Sequence, residues 1–273
     1  MMKTLSAVFA VLLLTTWAAA TAGITTFDCS AMAGGGPRTL VMGINNAGAI
    51  VGQCRFQGFL FANGVYTVLR GMSIANGINN LGQIVGQNGA AGVLYSNGTY
   101  TAINFPGAET TAAFGINDRG TIVGIYQVSD GHGGFSQHGF VYSNGTYTTF
   151  DYPGSPSTYL GGINNSGQIV GLFCDAGCQV GHGFLVTGST YTQIDYPGAL
   201  GSGAYGINNN GIVVGGYNNQ IAFIYDHGRY QSIDFNSSPD TAFNSINDLG
   251  QFVGYWVEPP VSFRGLRGYV PHP

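Results

Sequence analysis

The sequence predicts an all-β fold, a six-bladed β-propeller in which four-stranded antiparallel blades form a closed ring. Three observations predict it. A ten-residue segment of the form GINNxGxIVG occurs six times, an aromatic hairpin segment follows the copies, and the two chain ends look like two neighbouring strands of one repeat. A period of about 40 residues that holds four short strands is the size of a propeller blade.

The repeated segment starts at residues 43, 77, 115, 162, 206 and 245. Its Asn-Asn-x-Gly or Asn-Asp-x-Gly centre suits a tight turn, because asparagine bonds to nearby backbone and glycine adopts positive φ easily. Apolar residues such as Ile163, Ile169 and Val170 are expected to face neighbouring sheets. A group that recurs six times around a ring is turn chemistry more often than catalysis, so we interpret these asparagines as structural.

A second hairpin follows the first in each repeat. Asn-Gly occurs at residues 63, 97 and 144 between alternating aromatic and polar residues, which is typical of a two-residue hairpin turn. The tyrosines that recur after this turn are expected to pack across strands. The four strands predicted for the third repeat are 112–116, 121–126, 139–143 and 146–151.

The chain ends predict how the ring closes. GITTFDC at 23–29 matches the last strand of a repeat, and RGYVPHP at 267–273 matches the strand before it. We therefore expect the N- and C-terminal strands to pair and complete the sixth blade, so that 23–273 is one domain. An open stack of repeats would instead carry atypical capping repeats.

The N-terminal residues predict export. Residues 1–22 combine a lone Lys3, an apolar run and a small-residue exit, which is the pattern of a cleaved secretory signal peptide. An uncleaved N-terminal anchor is the alternative interpretation. We expect a secreted or periplasmic protein without membrane contact after cleavage.

The four cysteines of an exported chain predict two disulfides. Sequential pairing would join Cys29 to Cys54 and Cys174 to Cys178. A metal site formed by Cys174, Cys178 and His182 is the alternative interpretation. Our interpretation is disulfides, with no metal and no cofactor.

Charge excludes one class of partner. Only 7% of the residues are charged, and seven scattered arginines remain after the signal peptide against twelve acidic residues. Nucleic-acid binding needs clustered cations that replace counterions along the phosphates, so we expect no nucleic-acid partner. We expect a monomer.

The repeat resembles the HAF-repeat family of extracellular bacterial repeat proteins, whose units combine a GIN-x-x-G-x-IVG segment with a short aromatic strand. Ala222-Phe223 and His138-Gly139-Phe140 stand at the position that names the family. The resemblance covers nearly all of the mature chain. It implies an extracellular repeat protein, and it implies no activity, because the family is defined by its repeat.

Antiparallel order places both tight turns of each blade on one face of the ring, the turn face, and both variable connections on the other, the loop face. Ligand sites are expected among the variable connections. The longest are 127–138 and 173–182, in adjacent repeats. The candidate ligand-binding residues are Asp130, His132, His138, Asp175 and His182 in these connections, and Trp256.

Two functions follow from this pattern. The first is a non-enzymatic propeller that binds a glycan or an extracellular protein through loops on one face. Tyr159, Tyr205, Tyr217 and Trp256 lie near the variable loops and are candidates for an exposed aromatic platform. The alternative is an extracellular hydrolase or lyase that uses acids and histidines of the loops in repeats three and four. Neither loop carries a nucleophile or metal signature, so no catalytic residue is assigned.

Overall fold

The computed structural model describes residues 24–32, 38–218, 221–235, 240–258 and 262–270. These residues form β-strands and one 3-10 helix, Cys29–Ala31, and they include no helix long and apolar enough to cross a membrane. The predicted signal peptide lies outside the described residues.

The strands form six four-stranded sheets. Blade one contains β2 (Thr39–Ile44), β3 (Ile50–Cys54), β4 (Gln57–Ala62) and β5 (Val65–Leu69). Blade two contains β6 (Ile74–Ile78), β7 (Ile84–Asn88), β8 (Ala91–Ser96) and β9 (Thr99–Ile103). Blade three contains β10 (Thr110–Ile116), β11 (Ile122–Ser129), β12 (Phe135–Ser143) and β13 (Thr146–Phe150).

The second half of the ring repeats this order. Blade four contains β14 (Thr158–Ile163), β15 (Ile169–Cys174), β16 (Gly181–Thr187) and β17 (Thr190–Gln193). Blade five contains β18 (Ser202–Ile207), β19 (Val213–Tyr217), β20 (Ile221–Asp226) and β21 (Arg229–Ile233). Blade six contains β22 (Thr241–Ile246), β23 (Gln251–Glu258), β24 (Ser262–Tyr269) and β1 (Thr25–Phe27).

The predicted closure of the ring is confirmed. The N-terminal strand β1 pairs antiparallel with β24, the last strand of the chain, with Thr25 opposite Arg267 and Phe27 opposite Gly265. All six blades therefore have four antiparallel strands, and the six-bladed β-propeller is the fold of this chain.

The first strand of each blade lines the central channel, a point that the sequence left open. We call the strands of a blade a, b, c and d from the axis outward; neighbouring a strands contact one another around the ring. The glycine that opens five of the six repeats permits this approach, and Ser245 opens the sixth. A Cβ on Gly77 would lie 2.5 Å from the carbonyl oxygen of Phe114, and one on Gly206 would lie 2.8 Å from that of Asn244.

The first asparagine of each turn joins neighbouring blades. Its side-chain oxygen accepts bonds from its own turn, as when Asn164 accepts from the backbone nitrogens of Ser166 and Gln168 at 3.1 and 3.0 Å. Its Nδ2 donates to the carbonyl oxygen of the equivalent asparagine in the next blade, at 2.9 to 3.1 Å. The bonds run around the whole ring through Asn45, Asn79, Asn117, Asn164, Asn208 and Asn247.

The next residue of each turn makes a second closed ring. Its backbone nitrogen donates to the side-chain oxygen of its equivalent in the next blade, at 2.8 or 2.9 Å. The members, in blade order, are Asn46, Asn80, Asp118, Asn165, Asn209 and Asp248. The predicted turn role of the asparagines is confirmed, and the same residues also join the blades.

Aromatic pairs fill the seams between blades. A ring just after strand d of one blade packs on a ring near the loop-face end of strand b of the next blade. The pairs are Phe105 with Tyr126 at 3.7 Å, Tyr152 with Phe173 at 3.6 Å, Tyr196 with Tyr217 at 4.0 Å, and Phe235 with Trp256 at 5.3 Å.

Both predicted disulfides, Cys29–Cys54 and Cys174–Cys178, are present. Cys29 and Cys54 occupy the two aromatic positions of the seam between blades six and one, so this disulfide stands in place of a ring pair. It follows β1 directly and therefore holds the end of the strand that closes the ring.

Two predicted loops were too long. Residues 127–138 were predicted as a variable connection, but β11 continues to Ser129 and β12 begins at Phe135. In blade four, β15 continues to Cys174 and β16 begins at Gly181. The strand pairing extends beyond the repeated segment, which the repeat pattern could not indicate.

Candidate functional site

A β-bulge interrupts every strand a at the same place, two residues before the isoleucine that starts the turn. A bulge leaves one residue out of the ladder and re-aims its side chain. The six bulge residues all line the central channel. Their identities differ from blade to blade, whereas the sequence of the surrounding repeat is nearly constant. In blade order they are Met42, Asn76, Phe114, Gly161, Tyr205 and Asn244.

The bulge residues surround a cavity of about 1070 Å³, which we call the central cavity. Residues of the loop face, including Val180, Leu200 and Asp240, line it, so it opens on that face. Its floor is a ring of isoleucines that also lines a pocket of only about 60 Å³ beneath, on the turn face. These isoleucines are Ile44, Ile78, Ile116, Ile163, Ile207 and Ile246.

The central cavity is wider on one side. At the level above the bulge, blades one and two place Leu40 and Ile74 in its wall, whereas blades five and six have only Gly203 and Ala242. Because these two residues are small, the cavity reaches Tyr255 on strand b of blade six, which pairs with Ala242.

Three tyrosines dominate the wide side. The ring of Tyr159 lies 4.6 Å from that of Phe114 and 6.4 Å from that of Tyr205, at 88° to it. Tyr205 lies across Gly203, since a Cβ there would be 2.8 Å from the Tyr205 hydroxyl. Within the described residues, the hydroxyls of Tyr159, Tyr205 and Tyr255 have no hydrogen-bond partner, so each is available to a ligand.

The electrostatics of this wall centre on Asp240. Burial raises the pKa of Asp240. Burial is the main cause that raises the pKa of Tyr205, and the charge of Asp240 is the second cause. Burial also raises the pKa of Tyr255 to about 12, with smaller contributions from Asp240 and Tyr205. The pKa of Tyr159 is also raised, mainly by burial and to a smaller extent by the interaction with Tyr205. The tyrosines therefore remain neutral hydrogen-bond donors throughout the physiological pH range.

Two buried polar groups in the cavity wall also lack partners within the described residues. Asn76, 5% exposed, donates from Nδ2 to the carbonyl oxygen of Ala113 at 2.9 Å, but its Oδ1 accepts no bond. The hydroxyl of Thr241, 1% exposed, has no partner either. A buried polar group without a partner carries a desolvation cost.

The predicted residues His138 and His182 lie outside the lining of the central cavity, in hydrogen bonds to carboxylates. Their Nδ1 atoms lie 2.9 and 2.7 Å from carboxylate oxygens of Asp151 and Asp195, which follow strand d of the same blades. In blade six, Arg264 pairs with Asp28 at the same two positions. The histidines thus occupy a repeated cross-strand pairing position, and their rings pack on Tyr126 and Phe173 at 5.3 Å.

Asp130, His132 and Asp175 lie in hairpin connections and outside the lining. Asp130 Oδ1 accepts from the backbone nitrogens of His132 and Gly134, at 2.7 and 2.9 Å. Asp175 Oδ1 accepts from that of Gln179 at 2.9 Å. These carboxylates shape turns, and in the part of the chain described no hydrogen bond or ion pair between two side chains joins the predicted loop residues to one another.

The predicted exposed aromatic platform is wrong for Trp256. It is only 8% exposed and packs edge-on against Phe235 in the seam between blades five and six. Tyr217 is likewise stacked in a seam. Tyr159 and Tyr205 do face a ligand-accessible space, the central cavity.

Sequence reasoning named one bulge residue, Tyr205, and missed the other five, together with Tyr255 and Asp240. A signal was present for the bulge: it is the variable position immediately before each GIN segment. Tyr255 and Asp240 carried no such signal, because they reach the cavity only where Gly203 and Ala242 leave room. Across the described residues, no group of three or more His, Cys, Asp or Glu side chains is placed to hold a metal ion.

No protein-family model and no curated protein sequence matches the chain. Among solved structures, it is similar to the β-propeller domain of the Trilobed protease from Pyrococcus furiosus, with 8% identity and a TM-score of 0.48 over 85% of this chain and 95% of that one. That domain has an open velcro topology, whereas β1 closes the ring here.

Two further structures are similar in the same way. U3-55K shows 11% identity and a TM-score of 0.47 over 86% of this chain and 78% of that one. The extracellular domain of a B. thetaiotaomicron one-component system shows 11% identity and a TM-score of 0.44, over 89% of this chain and 40% of that one. These similarities concern the fold alone.

Proposed function

We propose that this chain is a secreted, non-enzymatic repeat protein of the HAF type that binds a glycan in the central cavity. The observation that carries the proposal is the bulge ring, where six unlike side chains stand at one position of a nearly constant repeat and surround a concave space. Two disulfides, together with the signal-peptide pattern, support export.

The chemistry of the wall suits a carbohydrate. A sugar has apolar C–H faces that pack on aromatic rings and hydroxyls that need directional partners. Tyrosine offers both a ring and a hydroxyl, and Asn244 adds a polar side chain to the same wall. Among the described residues, the lining holds no lysine, arginine or histidine, so this part of the wall offers no positive charge to an anionic ligand.

The shape favours a small ligand over a protein surface. The central cavity, at about 1070 Å³, is near the upper end of the range of small-molecule sites, roughly 300 to 1,000 Å³. Such a depression accepts the end of an oligosaccharide, whereas protein partners need broad and complementary surfaces. We therefore favour a glycan over an extracellular protein.

The hydrolase alternative has weaker support. Its predicted histidines occupy the repeated pairing position, and its predicted acids Asp130 and Asp175 already accept backbone bonds. We propose binding without turnover.

The test is a glycan array with the purified mature chain, followed by calorimetry on the strongest ligand. We expect Tyr205→Ala to weaken binding by about tenfold or more, because a ring and a hydroxyl leave the cavity wall. Tyr205→Phe, which removes only the hydroxyl, should have a smaller effect. Near-ultraviolet circular dichroism checks that both variants fold.

The matched control is the double variant Asp130→Asn, His138→Asn in the predicted loop patch, which should bind like the unmodified chain. Binding lost in this double variant and kept in Tyr205→Ala would contradict the proposal. Hydrolysis of the bound glycan would replace it with the enzymatic alternative.

A further inference from the structure

Resting on the proposed function, we infer that the bound glycan ends in an N-acetylated sugar, whose acetamido group lies at the bottom of the central cavity. The selected ligand class is thus a glycan with a terminal N-acetylhexosamine. Three features of the described residues lead to this inference: the direction in which a ligand enters, the apolar floor, and the polar groups directly above the floor.

The first feature is the direction of entry. The central cavity opens on the loop face, and the ring of isoleucines forms its floor. The pocket beneath that ring, on the turn face, has a volume of only about 60 Å³, against about 1070 Å³ above it. A glycan therefore enters end-on from the loop face, and its terminal sugar is the part that reaches the floor.

The second feature is the apolar character of the floor. The six isoleucines are between 4% and 9% exposed. Met42 and Phe114, two of the bulge residues, extend the apolar surface upwards from the floor. A hydroxyl group pressed against these side chains would lose water and gain no hydrogen bond, which is costly, whereas a methyl group would gain from burial. The floor therefore favours a methyl group at the tip of the ligand.

The third feature is a hydrogen-bond acceptor directly above the floor. Asn244, the bulge residue of blade six, lies two positions before the floor residue Ile246. Its Nδ2 donates to the carbonyl oxygen of Val41 in blade one at 2.8 Å. This bond fixes the orientation of the amide and leaves Oδ1 as an acceptor. None of the hydrogen bonds within the described part of the chain uses this oxygen.

The tyrosines of the wide side supply the matching donors. Burial raises the pKa of Tyr159 and of Tyr205, so both keep the proton that a hydroxyl donates. An acetamido group combines an N–H donor, a carbonyl acceptor and a methyl group. The N–H suits Oδ1 of Asn244, the carbonyl suits a tyrosine hydroxyl, and the methyl suits the floor. A 6-deoxy sugar also carries a methyl group, but it has no N–H donor beside it.

The experiment compares three β-1,4-linked oligosaccharides of equal length that differ only at carbon 2 of the sugar. Chitin oligosaccharide carries an acetamido group there, N-formylated chitosan oligosaccharide carries the same amide without the methyl, and cello-oligosaccharide carries a hydroxyl. Calorimetry is run with the full mature chain at pH 7. We expect chitin oligosaccharide to bind about tenfold or more tightly than cello-oligosaccharide, and about fourfold more tightly than the N-formylated one, the contribution of one buried methyl group.

The decisive variant is Asn244→Leu, which removes the acceptor and nearly keeps the size of the side chain. It should weaken the binding of chitin oligosaccharide about fivefold or more, because the amide N–H would lose its partner. The matched control is Asn76→Leu. The Nδ2 of Asn76 also donates to a carbonyl oxygen of the next blade, that of Ala113 at 2.9 Å, but its Oδ1 is buried away from a ligand. Asn76→Leu should therefore bind within about twofold of the unmodified chain.

The outcomes separate the two proposals. Equal binding of chitin and cello-oligosaccharides, equal binding of the acetylated and formylated ones, or equal losses in the two leucine variants would each overturn the acetamido inference and leave glycan binding in the cavity intact. So would array ligands that all lack an N-acetylated end. If the chain binds none of the three oligosaccharides and no glycan on the array, the proposed function itself fails. The ligand series needs no variant, so it decides the inference even where Asn244→Leu does not fold.

Discussion

At the scale of the residue, the asparagines of the repeat do more than shape a turn. Asn164 satisfies two backbone nitrogens of its own turn and a carbonyl oxygen of the next blade. In the second ring, the pattern is two asparagines and one aspartate, twice. Each aspartate accepts an Nδ2 bond from both neighbours, so every amide donor of that ring meets a carboxylate.

Asp118 provides a test at this scale. Burial favours a raised pKa, but the bonds from Asn165 and Asn80 outweigh it, so the pKa lies below its ordinary value of 3.8. A carboxyl with a lowered folded-state pKa stabilises the fold above its unfolded-state pKa, and that stability is lost as the pH falls through the folded-state pKa. Asp118→Asn should therefore cost about 1 kcal/mol at pH 7, since two amide donors would then face an amide.

The measurement is urea unfolding between pH 7 and about pH 2.5, a range chosen to span the carboxyl titration. The difference between Asp118→Asn and the unmodified chain should stay constant above about pH 5 and shrink below 3.8. Asp226→Asn is the control for loss of one surface charge. A difference independent of pH would mean that the bonds to Asp118 contribute nothing.

The sequence predicted the local half of this arrangement and missed the rest. The Asn-Asn-x-Gly pattern predicts a turn, because its bonds lie within a few residues of one another. The ring bonds join residues that are 34 to 47 positions apart, and 202 positions apart where the ring closes, and they depend on how closely strand a approaches its neighbour. The sequence shows aspartate at 118 and 248 and asparagine at the equivalent position 165. It does not show that these positions contact one another around the ring.

At the scale of the element, the seams between blades are not equivalent. Four seams hold a pair of rings, and the seam between blades six and one holds the Cys29–Cys54 disulfide. At the seam between blades one and two the corresponding residues are Gly71 and Asn88, which carry no ring. The covalent bond therefore lies at the seam where the short strand β1 depends on neighbouring contacts.

The two disulfides should differ in their effect on stability. Cys29–Cys54 spans 25 residues and Cys174–Cys178 spans 4. Loop-closure entropy grows with loop length. The double variant Cys29→Ser, Cys54→Ser should therefore lower the free energy of unfolding by about 3 kcal/mol, and the double variant Cys174→Ser, Cys178→Ser should lower it by less. The free energy of unfolding in urea, measured for both double variants, tests the order.

An equal or larger cost for the pair at 174 and 178 would contradict this order. Both pairings followed from sequential order and from the predicted export, and both are confirmed.

The contacts of His138 and His182 with aspartates were not predicted. Their partners lie 13 residues away, just after the adjacent strand d, and in the sequence both histidines were interpreted as loop residues.

At the scale of the whole molecule, the closure of the ring allows a test of connectivity. Thr25 lies opposite Arg267 in a hairpin-like pair, so the ends of the described chain stand where blades one, two and three have an Asn-Gly turn. A circular permutant that joins the ends through Asn-Gly and opens the chain between Asn97 and Gly98 should fold. Blade two would then be completed by the two new ends.

We expect this permutant to be folded, with a melting temperature within about 10 °C of the parent chain, because every strand pair is retained. Far-ultraviolet circular dichroism and thermal unfolding measure both properties. The control opens the chain within strand a of blade two, where the ladder and the channel wall would be broken. A permutant opened at Asn97 that is unfolded would contradict the closure by terminal strands.

The fold could be predicted at this scale because six copies of one unit, and two matching chain ends, leave few alternatives. The candidate site could not be predicted, because it depends on which strand of each blade lies nearest the central axis. Length along the chain marked the connections of blades three and four as the place for chemistry, but Asp130 and Asp175 shape turns there. The central cavity is built largely from strand residues, Phe114 among them, that look like ordinary core positions in the sequence.

In each innermost strand, the bulge residue lines the central cavity, whereas the residues on either side of it belong to the strand ladder of the blade. Backbone hydrogen bonding, seam packing and the two asparagine rings are indifferent to which side chain occupies the bulge, as the range from Gly161 to Phe114 shows. Substitutions at the six bulge positions should therefore change the chemistry of the central cavity and leave the architecture unchanged.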